Sequence, residues 1–410
     1  MPGTNGKIVV GGAGIGGLTL ALALLRRGVD VVVYEQADQL AEVGAGIQIS
    51  PNGTRALADL GVLDELAKVS SEPDAKKIRL WNTGQTWPLF DLGPDCVAQY
   101  GYPYLMIHRS DLQSVLLAAV RRLKPDAIRM ASRIVDFAQD DRGVTAIFAN
   151  GSRAQGSVLV GADGVHSLMR NALFGATKAT YTGCSAWRGV IAVERLPERL
   201  RISSGVNWVG PGRHVVTYPL RRGELINFVG VVETDDWKTE SWTSRGTHAE
   251  CTADFAGWHE DVHALIDNID VHYRWALLGR TPIANWHKGR AVLLGDACHP
   301  MLPFMAQGAV MAIEDSVVLA RCLETYGDDH RTALSAYEAA RVERANRCVV
   351  AADRNRQVFH SDRLTEPADA EQYAETQWNE AKVRERYHWL FSFDPVTCPI
   401  EPMATALADS

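Results

Sequence analysis

The apolar positions of the first forty residues form two short runs with a helical pattern between them. Lys7-Ile8-Val9-Val10-Gly11 reads as a buried strand and breaks on Gly12-Ala13-Gly14-Ile15-Gly16-Gly17. Leu18 to Arg27 is rich in Ala and Leu, as a helix would be, and Gly28 ends it. Val29 to Tyr34 is a second apolar run, leading to Glu35. The order is strand, tight turn, helix, strand. Ile8 to Leu25 has eighteen residues without a charge, enough to suggest a membrane span, but five of them are glycines crowded around a turn.

Further along, Val43 to Ser50 alternates Gly44 and Gly46 with apolar residues. This is a short strand whose backbone comes close to a neighbour, or a glycine-weakened edge strand. Pro51-Asn52-Gly53 opens a helix over 54–60, and a second helix after Gly61 turns Asp64, Glu65 and Lys68 to solvent. Residues 76–90 and 100–107 read as strands, joined by a polar connection over 91–99. A helix runs from His108-Arg109-Ser110-Asp111 to Leu123, with Ser110 as its expected N-cap. Residues 128–156 read as strands turning at 140–143 and 150–151. The buried run 157–160 stops on Gly161-Ala162-Asp163-Gly164, and Ser167 and Arg170 begin another helix. From Tyr181 to Trp275 the period changes to two, giving strands over 182–193, 205–220 and 225–233; seven of the eleven tryptophans lie between 187 and 286. Ala291 to Leu294 repeats the earlier theme: a buried strand, then Gly295-Asp296-Ala297, a proline-constrained loop to Pro303, and a long apolar helix opened by Gln307-Gly308-Ala309. Glu314 and Asp315 on that helix are expected to be solvated or paired. A charged amphipathic helix over 331–361 is expected to carry Arg354 and Arg356 on the surface. The tail packs through Trp389, Phe391 and Phe393, with its last dozen residues disordered.

At 410 residues the chain is too long for one compact core, so two or more domains are expected. A net charge of −7 with no basic run argues against a nucleic-acid surface. Seven cysteines, an odd number with no Cys-x-x-Cys, form neither a disulfide framework nor a zinc site; a reducing cytoplasm fits, and no metal is expected.

The chemistry sits at the strand ends. Gly12-x-Gly14-x-x-Gly17, between strand and helix and followed by Glu35, is a dinucleotide-binding pattern. Gly12 permits the turn, Gly14 lets a pyrophosphate approach and Gly17 lets helix and strand pack. The helix start at Ile15 offers free N–H groups, and Glu35 can accept from a ribose diol. Arg109, at a helix start, meets a phosphate or lies on the surface. Asp163-Gly164 and Asp296 both follow buried strands, where open α/β sheets bind ligands. His214 and Tyr218 are four apart in a strand, on one face and roughly 13 Å apart. They bracket a ring-sized ligand, or are core residues with satisfied hydrogen bonds.

Together these three motifs resemble the single-component FAD-dependent aromatic hydroxylases, the para-hydroxybenzoate hydroxylase group, over about residues 5–395. The stretch 295–320 looks most like the 6-hydroxynicotinate 3-monooxygenases. The stretch 210–220 looks like these and the 3-hydroxybenzoate 6-hydroxylases; salicylate hydroxylases are more loosely similar. The resemblance implies an α/β fold: a Rossmann-like FAD-binding domain of the GR2 type (1–75, 106–180 and 276–350), an inserted mixed-sheet substrate domain (76–105 and 181–275) and a C-terminal helical segment (351–410). It assigns Gly12, Gly14, Ile15, Gly17 and Glu35 to the ADP half of FAD and Arg109 to an FAD contact. Asp163 and Gly164 fall to the pyrophosphate and nicotinamide donor, Asp296 to the ribityl chain, and Gly308 and Ala309 to the flavin edge. His214, Tyr218 and Pro303 become catalytic candidates, with Gln48 and Phe304 also in the substrate pocket. Gln48 and Phe304 stand where the nicotinate enzymes have histidines, and Pro303 where the 3-hydroxybenzoate enzymes have glutamine, which leaves the substrate open. The implied reaction consumes NADH or NADPH and O2 and hydroxylates a small aromatic or N-heteroaromatic acid through a flavin C4a-hydroperoxide, with or without loss of CO2. The alternative is a flavin oxidase or dehydrogenase of the same fold that uses no nicotinamide donor. Monomer and homodimer both fit; no nucleic-acid or membrane partner is expected.

Overall fold

The computed structural model describes residues 6–40, 45–235 and 245–402. Val43 and Gly44 of the expected glycine-containing strand lie outside these residues, as do 403–410 of the tail.

A six-stranded sheet carries the first motif. Its order is His287–Lys288, Ala291–Leu293, Val158–Gly161, Ile8–Gly11, Val31–Tyr34, Ile128–Arg129, and all but the first strand run parallel. Strands Ile8–Gly11, Val158–Gly161 and Ala291–Leu293 are wholly buried apolar runs, as expected where helices cover both faces of a parallel sheet. Gly11 pairs with Gly161 and Gly161 with Leu293. The three strand ends that deliver the glycine-and-acid corners are therefore side by side at one carboxyl edge.

The helix Ile15–Arg26 is buried over most of its surface because it lies between this sheet and the helix Gly308–Tyr326. A Cβ on Gly16 would sit 2.6 Å from Leu294 Cδ2, and Ser316 Oγ donates to the Gly16 carbonyl at 2.9 Å. Glu314 and Asp315 of the second helix are fully buried and paired, not solvated. Arg341, also fully buried, reaches Glu314 at 2.6 Å and Asp315 at 2.8 Å. Arg344 adds a second contact to Glu314, and His299 Nε2 lies 2.6 Å from Asp315. The network clamps helix His330–Phe359 to the loop that follows Asp296. Cys298, His299 and Asp315 converge like metal ligands, but Arg341 already supplies the positive charge there.

The alternating region forms a seven-stranded sheet in the order Tyr273–Gly279, Thr180–Ala192, Leu225–Glu233, Arg213–Leu220, Gly205–Gly210, Ala75–Leu80, Thr86–Asp91. The expected strand over 205–220 is thus a hairpin, turning at Pro211-Gly212, where Gly212 has φ +63°. Period two sorts the side chains. Trp187, Trp208, Val215 and Phe228 face the helices His248–Asp254 and Glu260–Asp267. Val209, Tyr218, Val229 and Val231 face Leu302, Phe304 and the helix His330–Phe359. One hairpin was hidden in a longer run, since residues 76–90 split into two antiparallel strands; 134–156 make a separate three-stranded sheet that turns where expected, at 140–143 and 150–151.

Three expectations need correction. The polar connection over 91–99 contains a helix, Pro94–Tyr100, with proline in its first turn and Gly101 in the left-handed conformation after its end. The N-cap of helix Arg109–Leu123 is His108; Ser110 lies inside the first turn, its Oγ 2.6 Å from His108 Nδ1. Arg356 is not a free surface residue: its Nη1 donates to Glu233 Oε1 at 2.6 Å, whereas Arg354 is exposed as expected. The tail packs as expected, in helices Pro367–Gln377 and Glu380–Phe391, with Phe391 in the core of the second sheet. No described helix is long and apolar enough to cross a membrane.

Candidate active site

At the carboxyl edge of the parallel sheet the chain turns on glycines for separate steric reasons. Gly12 has φ +107°, and a Cβ there would lie 2.4 Å from the Ala162 carbonyl oxygen. A Cβ on Gly17 would lie 2.0 Å from the Gly12 carbonyl oxygen. Gly14 differs: nothing lies within 4 Å of its missing Cβ, so the space above it is open. Gly14 caps the helix Ile15–Arg26 without a side-chain hydrogen bond, leaving the first-turn N–H groups available. Glu35 sits beneath the loop. Its Oε2 accepts from Ala13 N–H at 2.8 Å and its Oε1 from Ala37 N–H at 2.9 Å.

A cleft of about 320 Å³ begins at this loop and ends against the seven-stranded sheet. Of the expected cofactor residues, Gly14, Ile15, Arg109, Gly164, Asp296, Gly308 and Ala309 line it. Gly12, Gly17, Glu35 and Asp163 stand behind that lining. Asp163 Oδ2 accepts from Met169 N–H, but Oδ1 is buried without a partner, and desolvation raises its pKa. Asp296 opens into the cleft yet is walled in by protein. Desolvation raises its pKa too, and His299 and Arg109 partly offset the rise. A helix start without side-chain caps, open space at Gly14, a cationic Arg109 and the Asp296 carboxyl on one cleft meet what an FAD-type dinucleotide needs.

The far wall comes from alternate residues of the seven-stranded sheet. His214, Val216 and Tyr218 of one strand line the cleft. Val229 pairs with Val216 and, on its other side, with Arg188, so Arg188 faces the same space. The Arg188 guanidinium lies 4.3 Å from the Trp275 ring centroid, and its Nε is buried without a partner. Burial pulls its pKa down to about 10. Gln48 also lines the cleft; its Oε1 accepts from Lys76 Nζ at 2.9 Å and from Tyr104 Oη at 2.8 Å. The glycine in strand Gly46–Ile49 now has its reason. A Cβ on Gly46 would lie 2.6 Å from Tyr218 Cε2, and Gly46 N–H donates to Asn227 Oδ1 at 2.7 Å.

His214 is 2 % exposed. Its Nδ1 lies 2.7 Å from His360 Nε2, and His360 Nδ1 lies 2.8 Å from Glu233 Oε1. The hydrogen bond with His360 is the main cause holding Glu233 down to about 2, so Glu233 is a carboxylate and an acceptor. That makes His360 Nδ1 the donor. His360 is itself neutral, its pKa lowered by burial, so its Nε2 accepts from His214 Nδ1–H. Burial, then His360 and Lys76, hold His214 well below its ordinary value, and Nε2 is left as its basic nitrogen.

Pro303 lines the cleft, in the turn Pro303–Met305. Phe304 does not: it packs behind His214, ring centroids 5.1 Å apart, and its carbonyl accepts from Asn355 Nδ2 at 2.6 Å. The sequence reading did not single out Arg188, Lys76, Tyr104, Glu233 or His360.

The open space at Gly14 gives a direct check. Gly14→Val is expected to keep the fold and lower FAD affinity at least about tenfold, whereas Gly17→Val, which drives a Cβ into backbone, is expected to yield unfolded protein. Flavin titration and circular dichroism read the two outcomes.

Comparison with known proteins agrees with this arrangement. The family model of an FAD binding domain matches residues 6–352. A 3-amino-4-hydroxybenzoate 2-monooxygenase of Streptomyces platensis is 37% identical over 388 residues, 95% of this chain and 96% of its own. A 6-hydroxynicotinate 3-monooxygenase of Bordetella bronchiseptica is 40% identical over 344 residues, 83% of this chain and 89% of its own. Among solved structures, Klebsiella pneumoniae HpxO complexed with FAD and uric acid superposes with a TM-score of 0.82 at 30% identity, covering 93% of this chain and 95% of that one.

Proposed function

Because this chain belongs to the FAD-binding-domain family, we propose that it is a flavoprotein monooxygenase that consumes NAD(P)H and O2 to hydroxylate a small aromatic acid carrying a ring hydroxyl. The observation that carries the substrate class is Arg188. A guanidinium in the cleft wall, stacked on Trp275 and paired with no described carboxylate, is placed to meet an anion. Relatives that act on 3-amino-4-hydroxybenzoate and 6-hydroxynicotinate have substrates that bring a carboxylate and a ring hydroxyl together.

In this reading the helix start at Ile15 and the open Gly14 take the pyrophosphate, Glu35 the ribose diol, and Arg109, Gly164 and Asp296 the middle of the cofactor. Gly308 and Ala309 lie against the flavin edge. Bound FAD supplies the oxygen-transfer chemistry. The residues around it prepare the ring. Arg188 holds the carboxylate. His214 Nε2 takes the proton of the ring hydroxyl, which makes the ring electron-rich, and Tyr218 lies on the same face to hydrogen-bond the resulting oxygen. Trp275, Leu302 and Pro303 exclude water from the reacting carbon. The division into cofactor (1–75, 106–180, 276–350), substrate (76–105, 181–275) and C-terminal (351–410) parts belongs to the same proposal.

The test is a panel of salicylate, 3-hydroxybenzoate, 6-hydroxynicotinate, 5-hydroxypicolinate and 3-amino-4-hydroxybenzoate. Hydroxylated product and CO2 are scored alongside NAD(P)H loss. At least one acid is expected to give product stoichiometric with NAD(P)H. Oxygen uptake that proceeds at full rate without a nicotinamide donor would assign the chain to flavin oxidases instead.

A further inference from the structure

We infer that Lys76 is a positioning residue which, through Gln48, fixes one corner of the cleft as a binding place for an anionic ring oxygen. This rests on the reading of the cleft as a pocket for a hydroxylated aromatic acid.

Lys76 stands on strand Ala75–Leu80, where Lys76, Ile78 and Leu80 are the buried, inward-facing positions. It is 8 % exposed, and no described carboxylate pairs with it. It sits opposite Gly205, next along from the Val206–Thr217 pair, so it lies two strands from Tyr218. A Cβ on Gly205 would lie 2.8 Å from Met106 Cε, and only at ordinary contact distance, 3.5 Å, from Lys76 Cγ, so the glycine makes room for the methionine and the lysine stem packs beside it.

An ammonium can only donate. The Gln48 atom that meets Lys76 Nζ is therefore the oxygen, and the Tyr104 hydroxyl occupies the same oxygen. With Oε1 taken twice, the Gln48 NH2 group is what remains for the cleft. Gln48 also lies against the Tyr218 hydroxyl and favours negative charge there. A donor from Gln48 onto the Tyr218 oxygen leaves the Tyr218 proton to point outward. The corner then presents N–H and O–H groups, backed by a buried positive charge. Such a corner accepts a phenolate oxygen and disfavours the neutral hydroxyl, which needs an acceptor. Arg188 adds positive charge on the other side of Tyr218, and His214 with His360 stands beyond it as the proton acceptor. Burial brings Lys76 down to about 8, so the corner keeps its charge at neutral pH and loses it above that value.

The test uses the FAD-bound enzyme and 3-hydroxy-4-nitrobenzoate, whose phenolate absorbs in the visible. The pKa of the bound probe is read from difference absorbance against pH. In the parent enzyme the bound probe is expected to ionise more readily than the free acid. Lys76→Met is expected to lower its ionisation constant about tenfold, with thermal stability kept or raised because a buried charge is gone. Lys76→Arg is expected to recover most of the shift. Gln48→Leu, which removes the connection and leaves the lysine, is expected to match Lys76→Met. An unchanged bound pKa in either Lys76→Met or Gln48→Leu overturns the inference while leaving the function standing. Failure of the parent enzyme to bind this or any acid of the substrate panel overturns both.

Discussion

His214→Gln is expected to retain FAD and bind the aromatic acid within about threefold of the parent affinity, and to lose roughly 10²-fold in kcat, the scale of a positioned general base. The argument is one of tautomers. Glu233 is ionised throughout the useful pH range because its pKa is drawn down to about 2. It fixes the His360 Nδ1 proton, which in turn fixes the His214 Nδ1 proton and leaves Nε2 bare. A glutamine at 214 fills the same space and hydrogen-bonds His360 but cannot accept a proton. The pH dependence has a defined sign. His214 is held well below its ordinary value, so its basic form persists into acid and kcat is expected to stay flat below the pH where an unperturbed histidine would be half protonated. Glu233→Gln removes the charge that orders the pair; with the side chain 39% exposed, the fold tolerates it. Its expected result is a smaller loss of kcat and a shifted acid limb. A His214→Gln enzyme with undiminished coupled turnover would assign the base elsewhere.

The sequence disclosed the cofactor side far better than the substrate side, for a physical reason. Gly12, Gly14, Gly17 and Glu35 are close in the chain, and their spacing encodes one continuous strand–turn–helix. Asp163 and Asp296 each end a buried run, and parallel pairing of those runs puts them side by side. Local pattern and tertiary position coincide there. In the antiparallel sheet they do not. Lys76 was visible in principle, since Lys76, Ile78 and Leu80 alternate on the inward face and a lysine in such a register is out of place. Arg188 follows Trp187 in a strand, and only the pairing with Val229 decides which of the two faces the cleft. His360 gave no signal. It follows a thirty-residue helix and meets His214 across 146 positions of chain. Ser110 shows the opposite failure: it has a good N-cap side chain, but the cap is His108, two residues earlier, where strand Leu105–His108 ends.

Arg188→Met is expected to raise KM for the aromatic acid about 30- to 100-fold, the loss of one hydrogen-bonded charge pair, with a smaller change in kcat. Methionine keeps the apolar stem against Trp275 and removes a buried cation whose Nε has no partner, so the FAD-bound protein is not expected to lose stability. The change in KM has a specific partner, which separates recognition from packing. In the parent enzyme, an amide in place of the substrate's carboxylate is expected to lose a similar factor. In Arg188→Met the same replacement is expected to cost little, because the two changes remove opposite ends of one interaction. Arg109 sharpens the test: it also lines the cleft and is close enough to depress Arg188. If Arg109 were the residue that binds the carboxylate, the amide would lose its full factor in Arg188→Met as well, and the carboxylate would have to be reassigned to the cofactor side of the cleft.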